Sequence, residues 1–382
     1  MSSQSTLSYR QDAYRALLKG IEKLDLQHSS VPCNLVLTGD AFPLVINSHG
    51  HILMAASMYG QGRIVVLSHE TYLTLCPALV ENALTWLGGE ESVNLSLGVE
   101  KNIKAVADNL NRSMYQVSIV EAFRKNLGVH VYVTDAYQVG AIAEDLVAFM
   151  KAGGGVLIGG QAWWWASQNP KQNLILQFPG NKVTGVAGIY FSAEYGKAEK
   201  LSLNSEIPSS WKTVDCGMDF KEDLEFLLKG ISDFDIRGDG VPSAALVHGP
   251  LAFSICTTDK EEAFLAGTYY GRGRVILVTH EGFLQYEKLA SFWKNAFDWL
   301  DQGRKGVVGF EPGVKPLPGL GLTCKTTEFR EDLSVFVCTA YSDINAETIQ
   351  NFVVEGGGLL IGGHAWYWAS THIGQNPMQD FS

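Results

Sequence analysis

The chain has 382 residues, 46% of them hydrophobic, and carries 29 Lys and Arg against 40 Asp and Glu, a net charge of −11. That length suits two to three domains, and that composition gives each of them a core. The acidic balance argues against a nucleic-acid partner and against a polybasic membrane anchor.

A helix is expected over residues 11–21, then strands over 34–38, 43–47, 52–57 and 63–68, which are apolar or β-branched runs separated by turn residues. The YGQGR turn at 59–63 fits a hairpin, since Gly accepts positive φ cheaply. A helix over 76–87 places Leu79, Ala83, Trp86 and Leu87 on one face. From residue 93 the pattern alternates. Strands are expected over 93–98, 115–119, 129–134 and 155–158, and helices over 101–110 and 139–150. Such alternation implies a mainly parallel sheet covered on both faces. After Asn169-Pro170, residues 183–192 read as one more strand.

The pattern then recurs. Residues 153–167 read GGGVLIGGQAWWWAS and residues 356–370 read GGGLLIGGHAWYWAS, twelve of fifteen positions identical at an offset of 356 − 153 = 203. Leu17-Leu18-Lys19-Gly20-Ile21 matches Leu227-Leu228-Lys229-Gly230-Ile231, Val31-Pro32 matches Val241-Pro242, and YGQGR matches YGRGR at 270–274. His69-Glu70 matches His280-Glu281, and Trp86-Leu87 matches Trp299-Leu300. The expected architecture is α/β, with two tandem repeats. Residues 1–200 form the first, with a small β-rich part at about 10–92 and an α/β part at about 93–200. Residues 201–219 are a linker containing Trp211. Residues 220–382 form the second repeat, C-terminally incomplete because the sequence stops soon after Asn376-Pro377.

The six cysteines (Cys33, Cys76, Cys216, Cys256, Cys324 and Cys338) form no CxxC pair and share no spacing between the copies. That pattern fits reduced thiols in the cytosol, not a zinc ribbon or a disulfide framework. The N-terminus lacks the apolar run of a signal peptide, and no stretch approaches the roughly 18 apolar residues of a transmembrane helix.

In open α/β sheets, ligands sit beyond the carboxyl ends of the strands. Two loops fall there in each copy. Asp135-Ala136-Tyr137 is matched by Thr339-Ala340-Tyr341, and Gln161 to Trp165 by His364 to Trp368. Asp135, Tyr137, Gln161, Trp164, Tyr341, His364 and Tyr367 are the candidate interaction or ligand residues. Their rings could stack on a sugar, a base or a proline-rich peptide. The alternative is that the Trp residues roof the core, with Trp163, Trp165, Trp366 and Trp368 mostly buried and Trp164 and Tyr367 exposed. Asp135 and Gln161 change to Thr339 and His364, so no shared polar group is expected there and no duplicated active site.

No GxSxG or GxCxG elbow occurs. Cys338 stands near a strand end where the first copy has Thr134, and it reads as packing. His69-Glu70 and His280-Glu281 lack the second His of a zinc-protease helix, since Leu73 and Leu284 occupy that position. Neighbours on a strand also point to opposite faces, so no metal set is expected. YGxGR lacks the third Gly of a dinucleotide fingerprint, and no Walker motif occurs, so no cofactor is expected either. Arg63 and Arg274 are expected to pair with local carboxylates or carbonyls.

LLKGI, VPxxLVLxGDAFPLVIN, AASMYGQGRIVVLSHE, ALTWL and GGGVLIGGQAWWWASQNP together resemble the TRP-melastatin channel-associated factors, over nearly the whole chain and in both copies. The resemblance implies a cytoplasmic, non-enzymatic partner of the cold- and menthol-gated TRP-melastatin cation channel. Such a partner promotes delivery of the channel to the cell surface and tunes its gating, is peripheral at the plasma membrane, and has a link to phosphoinositide 3-kinase. It also implies that each α/β half is class I glutamine amidotransferase-like, that is flavodoxin-like, without that fold's Cys nucleophile. Full-length members continue into a region resembling an M60-type metallopeptidase with a helical HExxH, which this sequence lacks. The rival reading is a ligand- or carbohydrate-binding module, or a degenerate amidotransferase-like enzyme, using the Trp loops.

Overall fold

The computed structural model describes residues 3–27, 30–89, 94–110, 114–208, 220–234, 236, 240–316, 319–376 and 381. The chain divides into two compact units, Met1–Gly217 and Met218–Ser382. Both are mixed α/β with parallel strand pairing.

Unit 1 is built on one nine-stranded sheet. Its order is Ile189–Tyr195, Cys33–Leu37, Ile52–Tyr59, Gly62–Leu67, Gly155–Gly159, Val131–Asp135, Leu95–Glu100 and Tyr115–Val120, with Phe42–Ile46 also paired to Ile52–Tyr59. Gly62–Leu67 runs antiparallel to Ile52–Tyr59 and parallel to Gly155–Gly159. The β-rich and α/β parts therefore share a single sheet, joined through this strand. The strand is buried along nearly its whole length, as suits one covered on both faces. A second, two-stranded sheet pairs Lys23–Asp25 with Lys200–Ser202, so the expected linker begins as a strand of unit 1. Residues 209–219, including Trp211, lie outside the described residues, as does Cys216.

Three elements depart from expectation. The first helix is Ser3–Leu17 and starts well before residue 11. The stretch 101–110 breaks into a 3-10 turn, Lys101–Ile103, and a single helical turn, Ala105–Asp108. Residues 183–192 split between the helix Pro179–Thr184 and the strand Ile189–Tyr195, with left-handed Gly188 (φ 76°) before the strand. That strand pairs antiparallel with Cys33–Leu37 at the edge of the sheet.

Unit 2 carries a seven-stranded sheet in the order Ala252–Thr257, Ala263–Tyr270, Gly273–Val278, Gly358–Gly362, Val335–Thr339, Val307–Phe310 and Thr323–Thr326. Its central register repeats that of unit 1. Arg63 and Val131 both pair with Gly155, and Arg274 and Val335 both pair with Gly358. Gly153 (φ 110°) and Gly356 (φ 119°) turn the chain from helix into that central strand with a backbone that residues bearing a Cβ rarely adopt. YGxGR also has a steric meaning. A Cβ on Gly62 would sit 2.1 Å from the Met150 carbonyl oxygen, and one on Gly273 would sit 2.1 Å from that of Val353. Each hairpin is thus pressed against the last turn of a helix. Arg63 Nη1 donates to the Trp86 carbonyl, and Arg274 Nη1 to that of Trp299 at 2.7 Å, so both arginines bind local carbonyls as expected.

The central strands differ in burial. Val156, Leu157 and Ile158 are each fully enclosed, whereas Leu359 is 9% exposed and Ile361 more so. Hydrogen exchange at residues 359–361 should therefore be faster than at 156–158. Equal protection in native-state exchange would show that the extra cover in unit 1 adds nothing.

Candidate functional site at the carboxyl ends of the parallel strands

In unit 1 the strands Tyr115–Val120, Leu95–Glu100, Val131–Asp135 and Gly155–Gly159 follow the doubly wound order 2-1-3-4. Connections diverge between Leu95–Glu100 and Val131–Asp135, and such a switch point opens a crevice at the carboxyl ends. Beside it, the loops after Gly62–Leu67, Gly155–Gly159 and Val131–Asp135 meet. They supply Glu70, Tyr137 and Gln161.

The Tyr137 hydroxyl donates to Glu70 Oε2 at 2.8 Å and accepts the Gln161 N–H at 3.1 Å. His69 Nδ1 lies 3.2 Å from Glu70 Oε2. The strand ends at Leu67, so His69 and Glu70 follow it in a bend and turn toward each other, contrary to the opposite-face expectation. Asp135 Oδ1 accepts the Tyr137 N–H at 2.8 Å and the Gln138 N–H at 3.3 Å, which fixes the tyrosine loop. Gln161 Oε1 accepts the Trp164 N–H at 3.2 Å.

Unit 2 repeats this arrangement. The Tyr341 hydroxyl donates to Glu281 Oε2 at 2.8 Å and accepts the His364 N–H at 3.1 Å. His280 Nδ1 is 3.7 Å from Glu281 Oε2. A polar set of His, Glu and Tyr is therefore common to both units, which corrects the expectation that none is shared. Spacing could not show it, because its members lie on separate loops. The signal present in the sequence is that His-Glu and Tyr both recur, with the tyrosines acting through their hydroxyls as well as their rings. Burial, reinforced by the neighbouring Glu70 or Glu281, pushes both phenols well above the ordinary tyrosine value. Both stay protonated and remain donors.

The units differ at two positions around this set: Asp135 is replaced by Thr339, whose N–H and hydroxyl donate to Glu311, and Gln161 by His364. The His364 ring lies 4.3 Å from that of His280, centroid to centroid. The candidate residues otherwise divide by exposure. Trp164 is 53% and Tyr367 55% exposed and Trp163, Trp165 and Trp368 are mostly buried, as expected, whereas Trp366 is 48% exposed. These rings stand on the short helices Trp163–Gln168 and Ala365–Thr371, and Trp165 packs edge-on against the enclosed Phe178, 5.7 Å centroid to centroid. One tether recurs: Trp163 Nε1 donates to the Val31 carbonyl at 2.9 Å, and Trp366 Nε1 to that of Val241 at 3.0 Å.

Cys33 is enclosed beside the cluster, and burial pushes its thiol up to about 12. Burial does the same to Cys338, also to about 12. Such thiols are protonated at neutral pH and are poor nucleophiles.

Glu100 and Asp135 are the buried last residues of the two strands that flank the switch point. Burial raises the Glu100 carboxyl, the Thr134 hydroxyl partly offsets this, and the charge of Asp135 adds to the rise. Burial likewise raises Asp135 against the pull of its two backbone donors. An acid raised in the folded state favours folding below its unfolded pKa, about 4.3 for Glu. That contribution is lost as pH climbs through the folded value. Glu100→Gln keeps an acceptor for Thr134 and removes the charge. Its unfolding free energy in urea should fall less between pH 4 and pH 7 than that of the parent. Parallel pH profiles would rule out Glu100 as the titrating group.

A family profile described as TRPM8, N-terminal domain (TCAF_N) matches residues 2–179 and again 169–382. The chain belongs to this family. Relatives of this TCAF_N chain include a TRPM8 channel-associated factor homolog from Danio rerio, 52% identical over 97% of this chain and 41% of its own length. TRPM8 channel-associated factor 2 from Homo sapiens is 42% identical over 97% of this chain and 40% of its own. The chain thus spans about two fifths of the length of these curated relatives. Among solved structures, the IMPa metallopeptidase from Pseudomonas aeruginosa aligns with 55% of this chain and 24% of its own, at 14% identity and a TM-score of 0.39. A likeness that distant carries no argument about function. No helix of the described residues is long and apolar enough to cross a membrane.

Proposed function

We propose that this chain is a non-enzymatic, cytoplasmic partner of a TRP-melastatin cation channel, peripheral at the plasma membrane through that channel. It promotes delivery of the channel to the cell surface and modulates its gating. The observation that carries this reading is membership of a family whose relatives are named TRPM8 channel-associated factors, at up to 52% identity across almost all of this chain. The protonated, enclosed thiols of Cys33 and Cys338 support the absence of cysteine chemistry. We read the two units as copies of one domain. The double match of the family profile, the repeated sheet register and the recurring Glu–Tyr hydrogen bond all favour this.

The exposed rings of Trp164, Trp366 and Tyr367 are the candidate contacts. The test is co-precipitation of the channel's cytosolic segments with the full chain, alongside surface biotinylation of the channel in cells that express it. Capture together with increased surface channel is expected, and Trp164→Ala combined with Tyr367→Ala should weaken both. Failure to capture any cytosolic segment would overturn the reading. Binding of an oligosaccharide lost in the same variant would favour the ligand-binding alternative.

A further inference from the structure

We propose that His280, Glu281 and His364 form a binding site for a single Zn²⁺ ion in unit 2, absent from unit 1. One ligand atom from each of the three residues lies within 4.8 Å of the others. The residues come from the ends of two adjacent parallel-paired strands, Gly273–Val278 and Gly358–Gly362, so the sheet itself sets their spacing. Tetrahedral zinc with bonds of about 2.1 Å needs ligand atoms roughly 3.4 Å apart. Rotation of the two imidazoles about their side-chain torsions supplies the remaining approach.

A second observation points to a ligand independently of this proximity. His364 is 93% buried (7% exposed), and its Nε2 has no hydrogen-bond partner among the described residues. Leaving a buried imidazole nitrogen without a partner is costly, and such an atom calls for an explanation. A cation at the shared edge of the two rings, within reach of the Glu281 carboxylate, provides one. The surrounding bonds are those expected of supporting groups around a metal. Tyr341 donates to the Glu281 carboxylate at 2.8 Å, which orients that ligand, and the same hydroxyl accepts the His364 backbone N–H at 3.1 Å, which fixes the chain beside it. Gly240 abuts the other edge of the His280 ring, where a Cβ would lie 2.8 Å from Nε2, and the Gly282 N–H donates to Nδ1 at 3.0 Å, so glycine at 240 is what lets the ring stand here.

The donor set selects the metal class. Two imidazoles and one carboxylate suit Zn²⁺, whereas Ca²⁺ and Mg²⁺ prefer oxygen shells. Three protein ligands leave a fourth position, on the side where Glu281 and Tyr341 are partly exposed. Unit 1 keeps His69, Glu70 and Tyr137 but offers the Gln161 amide in place of the second imidazole. Its Oε1 is already engaged with the Trp164 N–H. The stoichiometry should therefore be one ion per chain and not two.

The test is titration of the metal-free full chain with Zn²⁺ alone, by calorimetry and elemental analysis. One equivalent should bind, and His364→Gln should weaken it by ~100-fold or more, with Tyr341→Phe weakening it by ~10-fold. His364→Gln installs the residue that unit 1 carries, so the variant is expected to fold, and its far-UV spectrum checks this. Substituting Co²⁺ in the parent gives a reading that needs no variant: visible bands more intense than those of aqueous Co²⁺, without a thiolate charge-transfer band. No uptake, uptake unchanged in His364→Gln, or a thiolate band would each overturn the proposal. None of these outcomes depends on whether the chain binds a channel.

Discussion

Gly62→Ala and Gly273→Ala should each destabilise their own unit by about 3 kcal/mol. A methyl at Gly62 would lie 2.1 Å from the Met150 carbonyl oxygen and 2.4 Å from that of Gly154. At Gly273 the corresponding oxygens are those of Val353 at 2.1 Å and Gly357 at 2.3 Å. These atoms are backbone, fixed by the end of a helix and the start of the central strand, so no rotamer change relieves the clash. Either the hairpin lifts away or the helix end moves. In each case the central strand loses register with its neighbour. The expected fall in midpoint is about 6–12 °C by thermal melting of the affected unit. Gly140→Ala is the control, since its added methyl meets nothing closer than 3.4 Å. A fall of less than about 2 °C in both variants would show that the hairpin yields freely.

The second large effect is Asp223→Ala, expected to cost unit 2 on the order of 3–5 kcal/mol. Asp223 is 9% exposed on the helix Lys221–Leu227. Its Oδ1 accepts the Tyr269 hydroxyl at 2.6 Å and the Trp299 indole N–H at 2.7 Å. Both rings also lie under the Arg274 guanidinium, at 5.4 Å and 4.7 Å from its central carbon. Burial lowers the Arg274 pKa, while Tyr269 and Asp223 pull it back up. Removing the carboxylate takes the acceptor from two buried donors and the counter-charge from a half-buried cation. Asp223→Asn keeps an oxygen acceptor and should lose less. Urea unfolding followed by tryptophan fluorescence gives the comparison. A loss under about 1 kcal/mol for Asp223→Ala would mean that water replaces the carboxylate.

Much of the local structure was legible because it rests on local causes. Apolar runs bounded by turn residues located Cys33–Leu37, Phe42–Ile46, Ile52–Tyr59 and Gly62–Leu67 to within a residue or two. The triple Gly before residues 155–159 announced the tight entry into a buried strand. The exposure of Trp164 and Tyr367 followed from the position where the copies differ. Of Trp163, Trp165, Trp366 and Trp368, expected to be mostly buried, Trp366 alone stands exposed. Twelve matching residues show that a side chain is wanted, but not whether a core or a carbonyl tether such as Val31 O wants it.

What the sequence determined by itself was the repeated motifs, the alternation of strand and helix, and the family. These are encoded in periodicity and in residue identity along the chain. Partners across the fold were not. A strand's pattern states which faces are buried but not which strand lies beside it, so only the tertiary structure joined Gly62–Leu67 to Gly155–Gly159 in one sheet. For the same reason only the fold could bring Glu70 to Tyr137, or His280 and Glu281 to His364. Parallel pairing carries the ends of distant segments to one side of the sheet, and hydrogen-bond geometry there depends on distances that sequence separation does not contain.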